Sequence, residues 1–318
     1  MDFRLTEDQK ALKAGVRALL ERRFDRAALR AAVEAGGTLD RALWRELGAA
    51  GFFALRLPEA EGGVGLGLPE AVLVFEEAGR VLLPGPLVAT HLAAGEVPGA
   101  AEGKTVVTRA DGALVDWLDE ADVVLREATG AAAVRPEDPL PVPVRSVDPL
   151  TPLHRLPGPA GGGARSSGPA GGWGPWAATA ALLTAAEQLG SAGRTTETAV
   201  AHARTREQFG QPVGAFQAVK HLCAEMLVRT EVARAAVYAA AVTADPVEIA
   251  GAKLLADEAA VRCARDCLQV HGGMGFTWEA DVHLHLKRAW VRAERWLPAA
   301  AAEEMEAAAL GEEAAGTA

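Results

Sequence analysis

The sequence predicts a mostly α fold with a small β domain, and three observations carry the prediction. Apolar residues recur at helical spacing near the start. The texture then changes to short valine-rich runs broken by Gly, Asp and Pro. Beyond a stretch rich in Gly, Pro and Ser, long amphipathic segments return. The expected organisation is an N-terminal helical domain over residues 1–94, an abbreviated β domain with its linker over 95–170, and a C-terminal antiparallel four-helix bundle with a tail over 171–318.

Thr6 and Gln9 form a capping-box pair, and Leu12, Val16, Leu19 and Leu20 follow on one helical face. A second helix is predicted over about 40–50, stopped by Gly51. LPEAEGGVGLGLPE (57–70) reads as a loop, and the helical pattern resumes over 69–82 until Pro84-Gly85-Pro86. KTVVTRA, ALVDWL, ADVVLREA and VPVRSVD read as strands, and residues 156–174 as a flexible linker. Four segments, about 175–205, 214–243, 246–271 and 278–296, form the bundle. Val219, Leu222, Cys223 and Met226 make one stripe, and Leu254, Val261 and Leu268 recur every seventh residue. The Ala- and Glu-rich tail from Glu303 is expected to fray.

Composition narrows the function. The formal net charge of −10 lacks the basic footprint of a nucleic-acid or anionic-membrane binder. The first twenty residues carry acids where a signal peptide has a basic then apolar run, and the longest apolar stretch, around 176–185, is far shorter than the ~20 residues of a bilayer span. Cys223, Cys263 and Cys267 match no disulfide framework or zinc spacing. A soluble cytoplasmic protein is expected, with no nucleic-acid or membrane partner.

Several suggestive clusters have plainer explanations. Gly62, Gly63, Gly65 and Gly67 do not have dinucleotide or phosphate-loop spacing and follow no strand, so a turn is expected. His283 and His285 point to nearly opposite sides of a helix and cannot share a metal, so surface histidines are expected. Cys263 and Cys267 share a face as small buried residues. No G-x-S-x-G elbow occurs.

Two stretches resist such explanations. RTREQFGQPVGAFQAVKH (204–221) places Arg206, Phe209 and Gln217 round one turn, and QVHGGMGFTWE (269–279) follows Gln269 with three glycines in four positions. A helix C-cap explains Gly272 but not Gly273 or Gly275. Both stretches lie at bundle-helix ends, which antiparallel packing can bring together. Arg206 then offers a bidentate cation to a pyrophosphate, Phe209 an apolar face to adenine or ribose, and Gln217 and Gln269 amide hydrogen bonds. Gly272 and Gly273 allow close backbone approach.

R-E-Q-F-G-Q-P-V with F-Q-A-V-K-H-L-x-A-E-M, then Q-V-H-G-G-M-G-F-T, resembles the C-terminal domain of the acyl-CoA dehydrogenases. MDFRLTEDQKAL, LWRELGAAGFFALRLPEAEGGVGLGLPE and VFEEAGRVLLPGPL extend the resemblance to the N-terminus. It covers about 1–95 and 175–290. It implies the same three-part architecture, an acyl-CoA substrate, an electron-transfer flavoprotein or similar acceptor, and FAD held across a subunit interface. Arg206, Phe209 and Gln217, with Gln269, Gly272 and Gly273, match the positions that meet the cofactor's pyrophosphate and adenosine part.

The family's chemistry needs a carboxylate beside the α-carbon and donors for the thioester oxygen. Two departures stand out. Counting from Arg288, the usual base falls at Leu297, and the alternative place at the first bundle helix falls at Ala180; neither is acidic. Glu187 fits an ordinary helix position, and Glu294 reaches the place only by a three-residue shift. Nothing in 95–165 matches the family stretch that grips the flavin ring. The resemblance is therefore to one chain of an α2β2 enzyme, completing the FAD site while a homologous partner supplies the catalytic Glu, in a class associated with bulky acyl-CoAs such as steroid side chains. The alternatives are a homomeric dehydrogenase using Glu294 and a non-enzymatic scaffold.

Overall fold

The computed structural model describes residues 4–111, 114–126, 130–132, 141–156 and 176–316. Residue contacts divide the chain into two compact units, one of Met1–Leu20, Val72–Leu82 and Ala181–Ala318, the other of Glu21–Ala71 and Leu83–Ala180. In chain order the elements begin with helices α1 (Glu7–Arg23), α2 (Arg26–Glu34), α3 (Arg41–Ala49), α4 (Leu68–Arg80) and α5 (Leu87–Leu92). Strands β1 (Val107–Asp111), β2 (Leu114–Asp116), β3 (Val123–Arg126), β4 (Gly130–Ala132), β5 (Val142–Val144) and β6 (Leu153–Arg155) follow. After α6 (Ala177–Thr205) come the two-residue strands β7 (Glu207–Gln208) and β8 (Gln211–Pro212), then α7 (Gln217–Thr243), α8 (Pro246–His271), α9 (Val282–Ala293) and α10 (Ala299–Gly316).

Local chemistry sets the helix starts. The Thr6–Gln9 capping box forms, with Gln9 N–H donating to Thr6 Oγ1 at 3.2 Å and Thr6 N–H to Gln9 Oε1 at 3.0 Å. Asp25, Asp40 and Asp245 cap α2, α3 and α8 by accepting first-turn N–H groups. The 57–70 glycines serve a turn, as expected: Gly62 and Gly65 have positive φ, and a Cβ on Gly63 would lie 2.1 Å from Leu57 O.

In the unit containing the sheet, the strand order is β4-β3-β1-β2-β6-β5, with β1 and β3 parallel and the other pairs antiparallel. Val107 and Leu125 pack with Ala93, Val97 and Ala100, while Ala110, Val115, Val124 and Leu156 form a second cluster. The 156–174 linker lies, apart from Leu156, outside the described residues.

In the other unit, α6 is buried on every side from Ala180 to Gly193, which marks it as the central helix of the bundle. Gln188 on α6 donates to Asp257 on α8 and to Ala289 O on α9, and Thr196 meets Thr230 on α7 at 3.2 Å. α7 packs along α8, which also carries α9 and α10. A core of small residues, including Ala185, Ala192, Ala233, Ala240, Ala256 and Ala260, lets these helices approach closely.

Two expectations are corrected. The tail does not fray from Glu303: Ala299–Gly316 is helical, because Ala and Glu favour helix and Ala302 is fully buried. His283 and His285 are buried, at 9% and 8% exposure, since the start of α9 is buried on all sides from Val282 to Leu286.

Candidate functional site

The 204–217 turn is a small hairpin. After α6 ends, Arg206 N–H still donates to His202 O at 2.8 Å, and Val213 N–H closes the loop onto Arg206 O at 2.7 Å. β7 and β8 leave Phe209 and Gly210 as the two corner residues, at φ 54° and 79°. Both corner residues thus have the positive φ that a tight hairpin turn demands, comfortable for glycine and strained for phenylalanine. The Phe209 ring is 91% exposed and lies edge-on to Phe216, with ring centroids 6.0 Å apart. Gln217 is the first residue of α7 and is exposed. Arg206 is exposed and pairs with no carboxylate among the described residues.

At the end of α8 the three glycines separate by role. Gly272 has φ 60° and its N–H caps the helix on Gln269 O, so its conformation requires glycine. Gly275 is buried, and a Cβ there would lie 2.9 Å from Leu268 O, so packing requires glycine. Gly273 has neither reason: a Cβ would meet nothing within 4 Å. The openness leaves its backbone approachable from outside. Gln269 beside it is exposed.

The two stretches meet. His202 on α6 stacks on His271 on α8, with ring centroids 4.0 Å apart and planes 25° from parallel. His202 is held below the ordinary histidine range by partial burial, then by His271 and by Arg206, which places Arg206 within electrostatic reach of the pair. Neither histidine was singled out by sequence reasoning. The available signal was the four-residue spacing from His202 to Arg206, which puts them on one helical face.

Neither counted base position is acidic. Leu297 is buried at 5% exposure and Ala180 at 0%. Glu187 is buried and bonded by Arg292 Nη2 at 2.7 Å. Glu294 is exposed at the C-cap of α9 and lines a groove of about 540 Å³ with Leu254, Asp257, Arg262 and Glu303. Asp257 beside it is raised by burial, although Lys253 opposes the shift, and Glu294 adds to the rise. Ser191 Oγ lies 2.8 Å from His285 Nδ1, yet burial and the cations Arg194, Arg292, Arg288 and Arg80 hold His285 down to about 3. An imidazole so reluctant to accept a proton is a poor general base. Among the described residues, no group of three or more His, Cys, Asp or Glu is placed to hold a metal.

The helical bundle with a small sheet, and a cationic, glycine-lined surface where two bundle-helix ends meet, define a class. A family model described as acyl-CoA dehydrogenase, C-terminal domain, matches residues 178–297, and its N-terminal counterpart matches 6–101. This chain belongs to the acyl-CoA dehydrogenase family, a family of oxidoreductases. It is 36% identical over 299 residues to acyl-CoA dehydrogenase IpdE2 of Mycobacterium tuberculosis, covering 89% of this chain and 91% of that one. FadE34 of the same organism is 33% identical over 325 residues, covering 90% of this chain and 45% of FadE34. Among solved structures, a variant of the Tcur3481-Tcur3483 steroid ACAD superposes with TM-score 0.80 at 25% identity, over 97% of this chain and 99% of that one. The ChsE4-ChsE5 complex of Mycobacterium tuberculosis gives TM-score 0.77 at 25% identity, over 99% of each chain.

Proposed function

We propose that this chain is a subunit of a heteromeric FAD-dependent acyl-CoA dehydrogenase, completing the flavin site across an interface while a homologous partner supplies the catalytic glutamate. The observation that carries the reading is the pairing of an open anion surface with a vacant base position. Arg206, Phe209, Gln217, Gln269 and Gly273 are exposed, and the two amides and the guanidinium bond no described side chain. Leu297 and Ala180 meanwhile fill, with buried hydrocarbon, the places where a base is expected.

The residues fit an extended anionic cofactor. Arg206 binds pyrophosphate oxygens with its forked donors, which stay charged at all working pH. Phe209, exposed on its turn, covers an apolar ring or sugar face. The Gln217 and Gln269 amides orient the adenosine part, and the open backbone at Gly272 and Gly273 admits phosphate without steric cost. Bound FAD would supply a hydride acceptor for the β-position of the acyl thioester, and the partner's carboxylate would remove the α-proton. An acyl-CoA is the substrate, with an electron-transfer flavoprotein or similar acceptor downstream. The similar Tcur3481-Tcur3483 steroid ACAD supports a bulky steroid-type acyl group, and the similar ChsE4-ChsE5 complex supports a paired assembly.

The test uses the complex co-purified with a homologous chain bearing the glutamate. Arg206→Ala is expected to weaken FAD retention by about 1–3 kcal/mol, roughly 5- to 150-fold, through loss of a charge-assisted contact. Unchanged flavin retention contradicts the assignment of Arg206. A complex without a flavin absorbance band contradicts the enzyme reading altogether and favours a scaffold.

A further inference from the structure

Resting on the flavin reading above, we infer that His202 and His271 form, with Arg206, a proton-linked anion subsite: the stacked pair takes up a proton as the pyrophosphate binds and releases it as the pyrophosphate leaves. The hydrogen bonding dictates the linkage. His271 Nδ1 lies 2.8 Å from Cys267 O, and a carbonyl only accepts, so Nδ1 carries the hydrogen. In the neutral ring Nε2 is then an acceptor, and a phosphate oxygen is also only an acceptor. The ring can join the anion only after Nε2 gains a proton. The His202 ring makes no hydrogen bond to a described residue, so it is equally available.

Partial burial, then His271 and Arg206, hold His202 below its ordinary range. From α6 the pair faces Arg206, one turn beyond His202. From α8 it faces Cys267, pushed up to about 12 by burial and by Cys223 and Cys263, and therefore a neutral thiol. Cys223 of α7 in turn acts on Cys267, and its carboxylate neighbour Asp266 is already bound by Arg229 at 2.6 Å. No carboxylate is among the groups that act on His202. Two charged rings 4.0 Å apart repel, and a bound pyrophosphate between them and Arg206 reverses that balance. Cofactor retention at this half-site is thus set by pH through histidines rather than by Arg206 alone.

The experiment titrates the complex co-purified with the homologous partner with ADP-ribose, whose pyrophosphate diester keeps a fixed charge across the range, and follows the histidine ring signals of this chain by NMR. Affinity is expected to fall up to ~10-fold per pH unit between about pH 6 and about pH 8, with both ring midpoints rising when ADP-ribose is added. The His202→Asn, His271→Asn double variant is expected to bind with a flat pH profile. A flat profile in the unmodified chain, unmoved midpoints, or an unchanged slope in the double variant overturns the proton linkage while leaving the flavin reading intact. Absence of ADP-ribose binding at every pH overturns both, and loss of binding in Arg206→Ala at all pH values supports the cation's separate, unlinked role.

Discussion

Glu294 and Leu297 stand three residues apart, and the choice between them decides what this chain can do alone. A general base contributes roughly 10²–10⁴-fold to a proton abstraction. Glu294 faces a groove in which the acids Asp257, Glu258 and Glu303 outnumber Arg262 and Arg265, so an enolate forming there would meet a net negative lining. Glu294→Gln in the complex is therefore expected to leave kcat/KM within about 3-fold. A loss of two or more orders of magnitude would make Glu294 the base. At this scale, sequence located the open residues well: Arg206, Phe209 and Gln217 sit round one turn, and Gly272 has the conformation expected of a C-cap. What stayed hidden depends on long-range packing. The His202–His271 stack joins residues distant in sequence, and the buried bonds of Glu187 to Arg292 and of Ser191 to His285 likewise arise only when helices meet.

Between elements, α4 and α6 approach closely at two glycines. A Cβ on Gly79 would lie 2.0 Å from Glu187 O, and one on Gly190 would lie 1.9 Å from Glu76 O, so each glycine admits the other helix's backbone. Gly190→Ala is expected to destabilise the chain by about 1–3 kcal/mol or more in urea unfolding, and no change would contradict this packing. The next residues along α4 add an electrostatic tie. Buried Glu76 accepts from Lys13 on α1 and from Arg234 and Tyr238 on α7. Burial pushes Glu76 up, but Lys13, Arg234 and Tyr238 outweigh it, leaving the carboxyl below its ordinary value. A lowered carboxylate stabilises the fold above its unfolded value, and that stability disappears as pH falls through the folded value. The melting temperature should therefore drop with acid below the ordinary carboxylate range, and Glu76→Gln should flatten that drop; an identical acid profile in the variant would contradict the tie. Long periodic helices were legible from apolar spacing and caps, as α1, α3, α4 and α6–α8 attest. The short α2, α5, β4 and β6 were not, since a few residues with little branching carry no period. α10 was misread because Ala and Glu look like a solvated tail until Ala302 is seen buried.

For the molecule as a whole, the three-part texture of the sequence anticipated mostly helical structure flanking a small sheet, because helix and strand periods differ along the entire chain. Function was less evenly written. The residues proposed to face the cofactor lie in contiguous motifs, whereas the counted base positions hold the apolar Leu297 and Ala180. The central claim, that this chain lends half a flavin site and borrows its proton acceptor, is tested most directly by counting flavin per chain and measuring turnover with and without a glutamate-bearing homologous partner. The account predicts little flavin and no turnover from this chain alone, and a loaded, active complex with the partner. A chain that binds flavin stoichiometrically and desaturates an acyl-CoA by itself would contradict it.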